Sequence, residues 1–287
     1  MKLREKALAL GACFCLAQFF AASGALADES PFSAIYTTET LPAGAKEMEQ
    51  WLTWEHRRPY ESWNRLAGRT EFEYGVTNRF QVALYANYDW IRVRPHSPLA
   101  GDEATNRTKF TSVSAEAIYR FTDSYTHPVG FAVYVEPGYG ANTREVEVKV
   151  MLDSHFLDNR LTLAINPVIE WEWEREHSGA PFERATELTL LAGLSYNFSP
   201  GLYGGVEFEA KREGDGALLG ESVHPAADSF RVGPTLHYGH GRWWMTVGAL
   251  AQLPWAGTLN NEPGEVVNGF AHEVPRFSLR LRFGLAL

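Results

Sequence analysis

Strict alternation of apolar and polar side chains at the end of the chain limits its fold more than any other feature. Phe277, Leu279, Leu281, Phe283, Leu285 and Leu287 take every second position, with Arg276, Ser278, Arg280, Arg282, Gly284 and Ala286 between them. A period of two places the two sets on opposite faces of a β-strand. One face is wholly apolar and the other carries three arginines. Taken alone, the segment suits a soluble sandwich as well as a membrane barrel.

The rest of the chain separates these alternatives. Phe72, Tyr74 and Val76 alternate with Glu71 and Glu73; Val113, Ala115 and Ala117 with Ser112, Ser114 and Glu116; Val146, Val148 and Val150 with Glu145, Glu147 and Lys149. Twelve such segments are expected, near 45–57, 65–76, 79–93, 108–121, 129–138, 144–155, 160–173, 183–198, 201–212, 227–238, 242–254 and 274–287. Most exceed the roughly 5 or 6 residues of a soluble strand and approach the length of a tilted bilayer-spanning one. The expected fold is all-β, a closed antiparallel transmembrane β-barrel of about 12 strands. Short turns near 77–78, 156–159, 199–200 and 239–241 face longer connections near 94–107, 174–182, 213–226 and 255–273, as short periplasmic turns face longer extracellular loops. Trp51, Trp54, Trp90, Tyr119, Phe121, Trp171, Trp173, Tyr196, Phe198, Trp243 and Trp244 lie near strand ends and read as interfacial girdles. Pro167 and Pro234 fall inside strands, where a missing donor predicts a bulge or a displaced boundary, and Glu136-Pro137 predicts an early end to the fifth strand.

The opening residues read as an export signal. Lys2, Arg4 and Lys6 form a basic start, Ala7 to Ala22 is an apolar run, and Ala25-Leu26-Ala27 offers small residues for cleavage before Asp28. The expected organisation is residues 1–27 as a removed signal peptide, 28–44 as a periplasmic segment or partial plug, and 45–287 as an outer-membrane barrel. Cys13 and Cys15 are the two cysteines and both lie in the signal, so disulfide, thiolate and cysteine–metal chemistry are not expected of the mature chain. With 26 basic against 35 acidic residues and no basic run, nucleic acid is not an expected partner.

The terminal Phe283-Gly284-Leu285-Ala286-Leu287 resembles the C-terminal assembly signal of bacterial outer-membrane barrels, with Leu287 where an aromatic is usual. The segments Ile35-Tyr36-Thr37-Thr38-Glu39-Thr40-Leu41-Pro42-Ala43-Gly44, Glu71-Phe72-Glu73-Tyr74-Gly75-Val76-Thr77-Asn78-Arg79-Phe80-Gln81 and Tyr134-Val135-Glu136-Pro137 resemble a family of bacterial outer-membrane β-barrel proteins of unknown function. The resemblance spans most of the mature chain. It implies an architecture, and it carries no catalytic residues with it.

The chemistry of the chain therefore rests on the polar face. The lumen-lining candidates are Glu71, Glu73, Glu116, Arg120, Glu145, Glu147, Glu170, Glu172, Glu207, Glu209, Arg231, Arg276, Arg280 and Arg282. Two readings compete: a salt-bridged interior that packs the barrel, and a charge-lined conduit for a small hydrophilic solute or ion. An enzyme using extracellular loop residues, and a structural or adhesive barrel, are the alternatives. Ser154-His155 and His177-Ser178 do not read as dyads, because neighbouring strand residues point to opposite faces. His56, His96, His177, His224 and His272, with Asp102, Glu103, Glu176 and Glu221, show no metal-ligand spacing, and no cofactor is expected. The expected partners are outer-membrane lipid and lipopolysaccharide, the barrel assembly machinery and a small solute. The protein should fractionate with the cell outer membrane and migrate differently in gels before and after boiling; recovery as a freely soluble periplasmic protein would contradict this.

Overall fold

The computed structural model describes residues 30–97, 104–175, 177–216, 225–256 and 266–287. The proposed signal peptide, Asp102, Glu103, Glu176, Glu221 and His224 lie outside them. In chain order the strands are β1 (Lys46–Arg58), β2 (Glu61–Thr77), β3 (Phe80–Pro95), β4 (Thr105–Thr122), β5 (Gly130–Gly140), β6 (Thr143–Phe156) and β7 (Leu161–Glu174). There follow β8 (Glu183–Ser199), β9 (Leu202–Asp215), β10 (Pro225–His240), β11 (Trp243–Gln252), β12 (Val266–Val267), β13 (Phe270–Ala271) and β14 (Phe277–Ala286). Twelve of them close into one barrel in the order β1-β14-β11-β10-β9-β8-β7-β6-β5-β4-β3-β2, and β12 and β13 form a separate hairpin. Closure comes from β1 and β14, paired antiparallel from Glu47–Ala286 to His56–Phe277.

The alternation places side chains as expected on the closing strand: Phe277, Leu279 and Phe283 are exposed, while Ser278 and Arg282 are buried. The same inversion runs round the barrel. Leu84, Leu190, Val206 and Leu236 face outward with large exposed surfaces, whereas Glu71, Glu116, Glu207, Thr235 and Asn166 are buried inside. A barrel whose apolar side chains are outside and whose polar ones are inside is built for hydrocarbon surroundings.

Several expectations need correction. Trp51 and Trp244 do not belong to a girdle: they point inward, at 7% and 0% exposure, and each donates its indole N–H to an interior glutamate, Glu49 and Glu47 respectively. The prolines produce neither bulges nor early strand ends. Pro137, Pro167 and Pro234 pair with Val146, Leu190 and Val206 on one side. On the other side the ladder steps across the proline without losing register, from Val135–Ala117 to Gly138–Ser114 in the first case. A missing donor thus costs local bonds and leaves the strand in place. The difference in connection length is also incomplete. The outer connections between β1 and β2 and between β5 and β6 are two-residue turns, and the periplasmic connection between β4 and β5 is longer, folded around Asp123. In the tight turn before β9, Gly201 has φ 78°, and its carbonyl accepts the N–H of Gly239, at the C-terminal end of neighbouring β10, at 2.8 Å.

Residues Ser30 to Ala45 precede β1 and enter the barrel instead of leaving it. Ser30, Phe32, Ser33, Ile35, Tyr36, Thr37 and Thr38 are all buried. Side chains from the wall bind the segment's backbone in sequence around the barrel. Gln81 on β3 accepts from Leu41 N–H at 2.7 Å, Asp153 on β6 from Thr38 Oγ1 at 2.6 Å, and Asn166 on β7 from Tyr36 N–H at 2.7 Å. Glu207 on β9 accepts from Ser33 N–H, Ser33 Oγ and Ala34 N–H, and Arg280 and Arg282 on β14 donate to the carbonyls of Ser33 and Phe32. The segment therefore runs through the interior from β3 past β6, β7 and β9 to β14. Backbone groups of Phe32, Ser33, Ala34, Tyr36, Thr38 and Leu41, which the lumen would otherwise strand, thus find side-chain partners.

Apolar contacts complete its seat. Phe32 and Ile35 pack with Ala164, Val168 and Leu191; Tyr36 packs with Trp51, Ile118, Ala132, Tyr134 and Met151. The wall makes room with glycine. A Cβ on Gly193 would lie 2.5 Å from Ile35 Cδ1 and 2.6 Å from Phe32 Cε1, and one on Gly248 would meet Ser33. Gly193→Val should therefore cost about 1–3 kcal/mol through overpacking. Glu207→Ala, which removes the acceptor for three donors, should cost a similar ~1–3 kcal/mol. Denaturant unfolding followed by gel mobility checks both, and wild-type stability in both variants would contradict this account of the seat.

Candidate functional site

Above the crossing segment the barrel interior opens into a cavity of about 850 Å³. Ala34 and Tyr36 contribute its floor, and the walls come from the outer halves of the strands. The strand order sorts its charges. From β6 to β9 acidic residues outnumber basic ones, Glu145, Glu147, Glu172, Glu174, Glu183, Glu187 and Glu209 against Arg144, Lys149 and Arg175; from β14 through β2 to β4 the lining holds Arg280, Arg65, Arg69, Arg107 and Lys109 against Asp89. In a ring of twelve strands these arcs face one another. The side chains of opposite sign thus set up a field across the cavity, within low-dielectric walls that focus it.

Part of this charge is neutralised in pairs. Arg69 meets Glu136 at 2.9 Å, Lys149 meets Glu147 at 3.0 Å, Arg231 meets Glu209 at 2.6 Å, and Lys211 pairs with Glu187. Arg282 meets Glu49 at 3.2 Å with both side chains fully buried. Removing one member of such a buried pair strands the other, at a cost of about 3–5 kcal/mol, so these contacts hold the interior to one arrangement. Arg280 differs: it donates to Thr53 at 2.9 Å and to the Ser33 carbonyl, and sits above the Trp51 ring at 5.5 Å. It joins the cavity's basic wall to its floor.

The expected lumen residues separate into groups. Glu145, Glu147, Glu172, Glu209, Arg231 and Arg280 line the cavity. Glu170 stands beside Glu145 and Glu172, with oxygens of the three within 4.8 Å of one another. Glu207 binds the crossing segment, and Glu116 accepts the Tyr85 hydroxyl. Glu71, Glu73 and Arg282 lie deeper, on the periplasmic side. Two residues do not join these groups. Arg120 sits at the periplasmic rim, bound to the Asn78 carbonyl at 2.6 Å and to Asp123. Arg276 sits at the opposite rim over the Phe270 ring. Arg120 lies two residues before the end of β4 and Arg276 directly precedes β14, so both keep the interior phase of their strands but stand at the barrel's mouths.

Interior residues outside the expected set include Glu47, Glu49, Glu136, Glu187 and Arg65. Glu47 and Glu49 repeat the spacing-two signal that marks the other ladders, so the same rule finds them. The two histidine–serine neighbours form no dyad: the Ser154 hydroxyl donates to the Pro128 carbonyl while His155 turns toward Asp153 at 3.3 Å, and His177 Nδ1 meets the backbone carbonyl of Ser178, not its hydroxyl.

The fold resembles that of solved outer-membrane proteins. An outer-membrane channel from Pseudomonas putida F1 superposes with TM-score 0.61 at 12% identity, over 87% of this chain and 98% of that one. The NanC porin gives TM-score 0.50 at 11% identity, over 85% and 100% of the two chains. The β-domain of the Bordetella autotransporter BrkA gives 0.51 at 10% identity, over 85% and 100%. At these identities the likeness is one of fold. Comparison with curated proteins gives no match. The closed barrel and its apolar exterior make the protein an outer-membrane β-barrel. The family model for the family of unknown function DUF6662 matches residues 24–285, and the chain belongs to that family.

Proposed function

We propose that the protein is a narrow outer-membrane channel for a small hydrophilic solute or ion, entered through the charged cavity and closed beneath it by residues 30–41. The observation that carries this reading is the cavity of about 850 Å³ with acidic and basic arcs on opposite walls and the N-terminal segment as its floor. Twelve strands fall between the filled eight-stranded barrel and the water-filled channel of roughly sixteen, so the interior leaves a passage only where side chains and the segment withdraw. The similarity to an outer-membrane channel and to a porin supports the same reading.

The seat of the segment suits a closure that water can replace. Gln81, Asp153, Asn166, Glu207, Arg280 and Arg282 hold it by side-chain hydrogen bonds. Once the segment leaves, those polar groups face a wet lumen and none is stranded in hydrocarbon. The apolar exterior meets lipid and lipopolysaccharide, and the terminal strand β14 engages the barrel assembly machinery on export.

Planar-bilayer recording tests the reading. Deleting residues 30–41 should raise single-channel conductance. A disulfide between Thr38→Cys and Asp153→Cys, whose native side chains meet at 2.6 Å, should suppress conductance until reductant is added. Absence of resolvable conductance in the wild type, the deletion and the reduced double variant would reject the channel and leave the charged interior as packing. A second measurement concerns selectivity: Arg280→Gln weakens the basic wall, so preference for cations should rise at low salt and fade as ionic strength grows. An unchanged reversal potential would show that the opposed walls do not govern permeation.

A further inference from the structure

Below the crossing segment lies a second carboxylate group that the channel reading does not use. Glu49 on β1 stands directly across from Glu71 on β2, and Glu73 follows two positions along on the same interior face. Carboxylate oxygens of the three lie within 4.8 Å of one another. Like charges placed opposite each other on paired strands repel, and burial removes the water that would screen them.

Glu71 sharpens the problem. It is 1% exposed, and neither of its carboxylate oxygens accepts a hydrogen bond. The nearby guanidinium of Arg282 is already directed to Glu49 at 3.2 Å, and Trp51 donates to the same carboxylate at 2.6 Å. A proton shared between Glu71 and Glu73 would engage one oxygen of Glu71 and leave the other without a partner. A cation engages both.

We propose that Glu49, Glu71 and Glu73 bind one divalent cation of the size of Ca²⁺ at the periplasmic end of the barrel interior. Oxygens on opposite sides of Ca²⁺, each at about 2.3–2.6 Å, are separated by roughly the span observed here. Three carboxylates supply up to six oxygens, matching the coordination of calcium. Mg²⁺ suits the site less well, since it keeps several waters in a strict octahedron and these three side chains are packed inside the barrel at 1–3% exposure. The bound ion would pin β1, whose other edge closes the barrel, to β2. The site is independent of solute passage. The other trio, Glu145, Glu170 and Glu172, adjoins the cavity and provides the contrast.

The test uses the full mature protein in detergent micelles, stripped with a chelator and titrated with terbium(III). Emission sensitised by Trp51 should saturate and be displaced by Ca²⁺. In Glu71→Gln the apparent affinity should fall by about 10-fold or more, whereas Glu172→Gln should match the wild type. The temperature at which gel mobility changes should rise with Ca²⁺ in the wild type and not in Glu71→Gln; should that variant fail to fold, Glu73→Gln takes its place. The proposal is wrong if the wild type shows no displaceable emission, or if emission survives unchanged in the variant. A mobility transition indifferent to Ca²⁺ would likewise overturn it and assign a shared proton to the pair.

Discussion

In hydrocarbon a backbone N–H has no water to bond, so every membrane-spanning strand must be paired along both edges. Pairing of β1 with β14 is the contact that meets this demand, because those two strands would otherwise present open edges to lipid. The even number of barrel strands follows, with the start of β1 and the end of β14 on one side. So does the tolerance for Pro137, Pro167 and Pro234: each keeps its register because its neighbours are pinned on both sides. Closure also makes an inside, and the inside must then be filled, wetted or both.

The N-terminal segment supplies much of that filling. It contributes Phe32, Ile35 and Tyr36 to the two apolar clusters in its path, and its backbone takes up polar side chains from strands far apart in the sequence. Glu207 and Asp153 are buried because the segment lies against them. Gly193 and Gly248 lack side chains where the segment passes. Wall and segment are complementary in shape and in hydrogen bonding, and the cavity begins where that complementarity ends.

Electrostatics divides the interior into two zones. Toward the outside, pairs such as Arg231–Glu209 and Lys149–Glu147 share the cavity with the other charged side chains of its two arcs, which set up a field across it. Toward the periplasm, Glu47, Glu49, Glu71 and Glu73 crowd two adjacent strands, with Arg282 bound to Glu49. Water can resolve the first zone; the second is where the proposed cation would sit. The same residue type therefore serves different physical ends at different depths.

Alternation by itself determined that the chain forms long strands with an apolar and a polar face, twelve of them in one barrel, because side-chain direction in a strand depends only on local backbone geometry. It assigned Glu71, Glu145, Glu207 and Arg282 to the interior for the same reason. It misplaced Trp51 and Trp244, since an aromatic near a strand end suits a girdle unless an interior acceptor such as Glu49 or Glu47 claims its N–H. Only the tertiary structure decided which carboxylate meets which cation across the lumen, the route of residues 30–41 from Gln81 to Arg282, and where the cavity stops. Several of those contacts join residues more than a hundred positions apart. Period two fixes the face a side chain takes, and the curvature of the closed sheet chooses what it meets there.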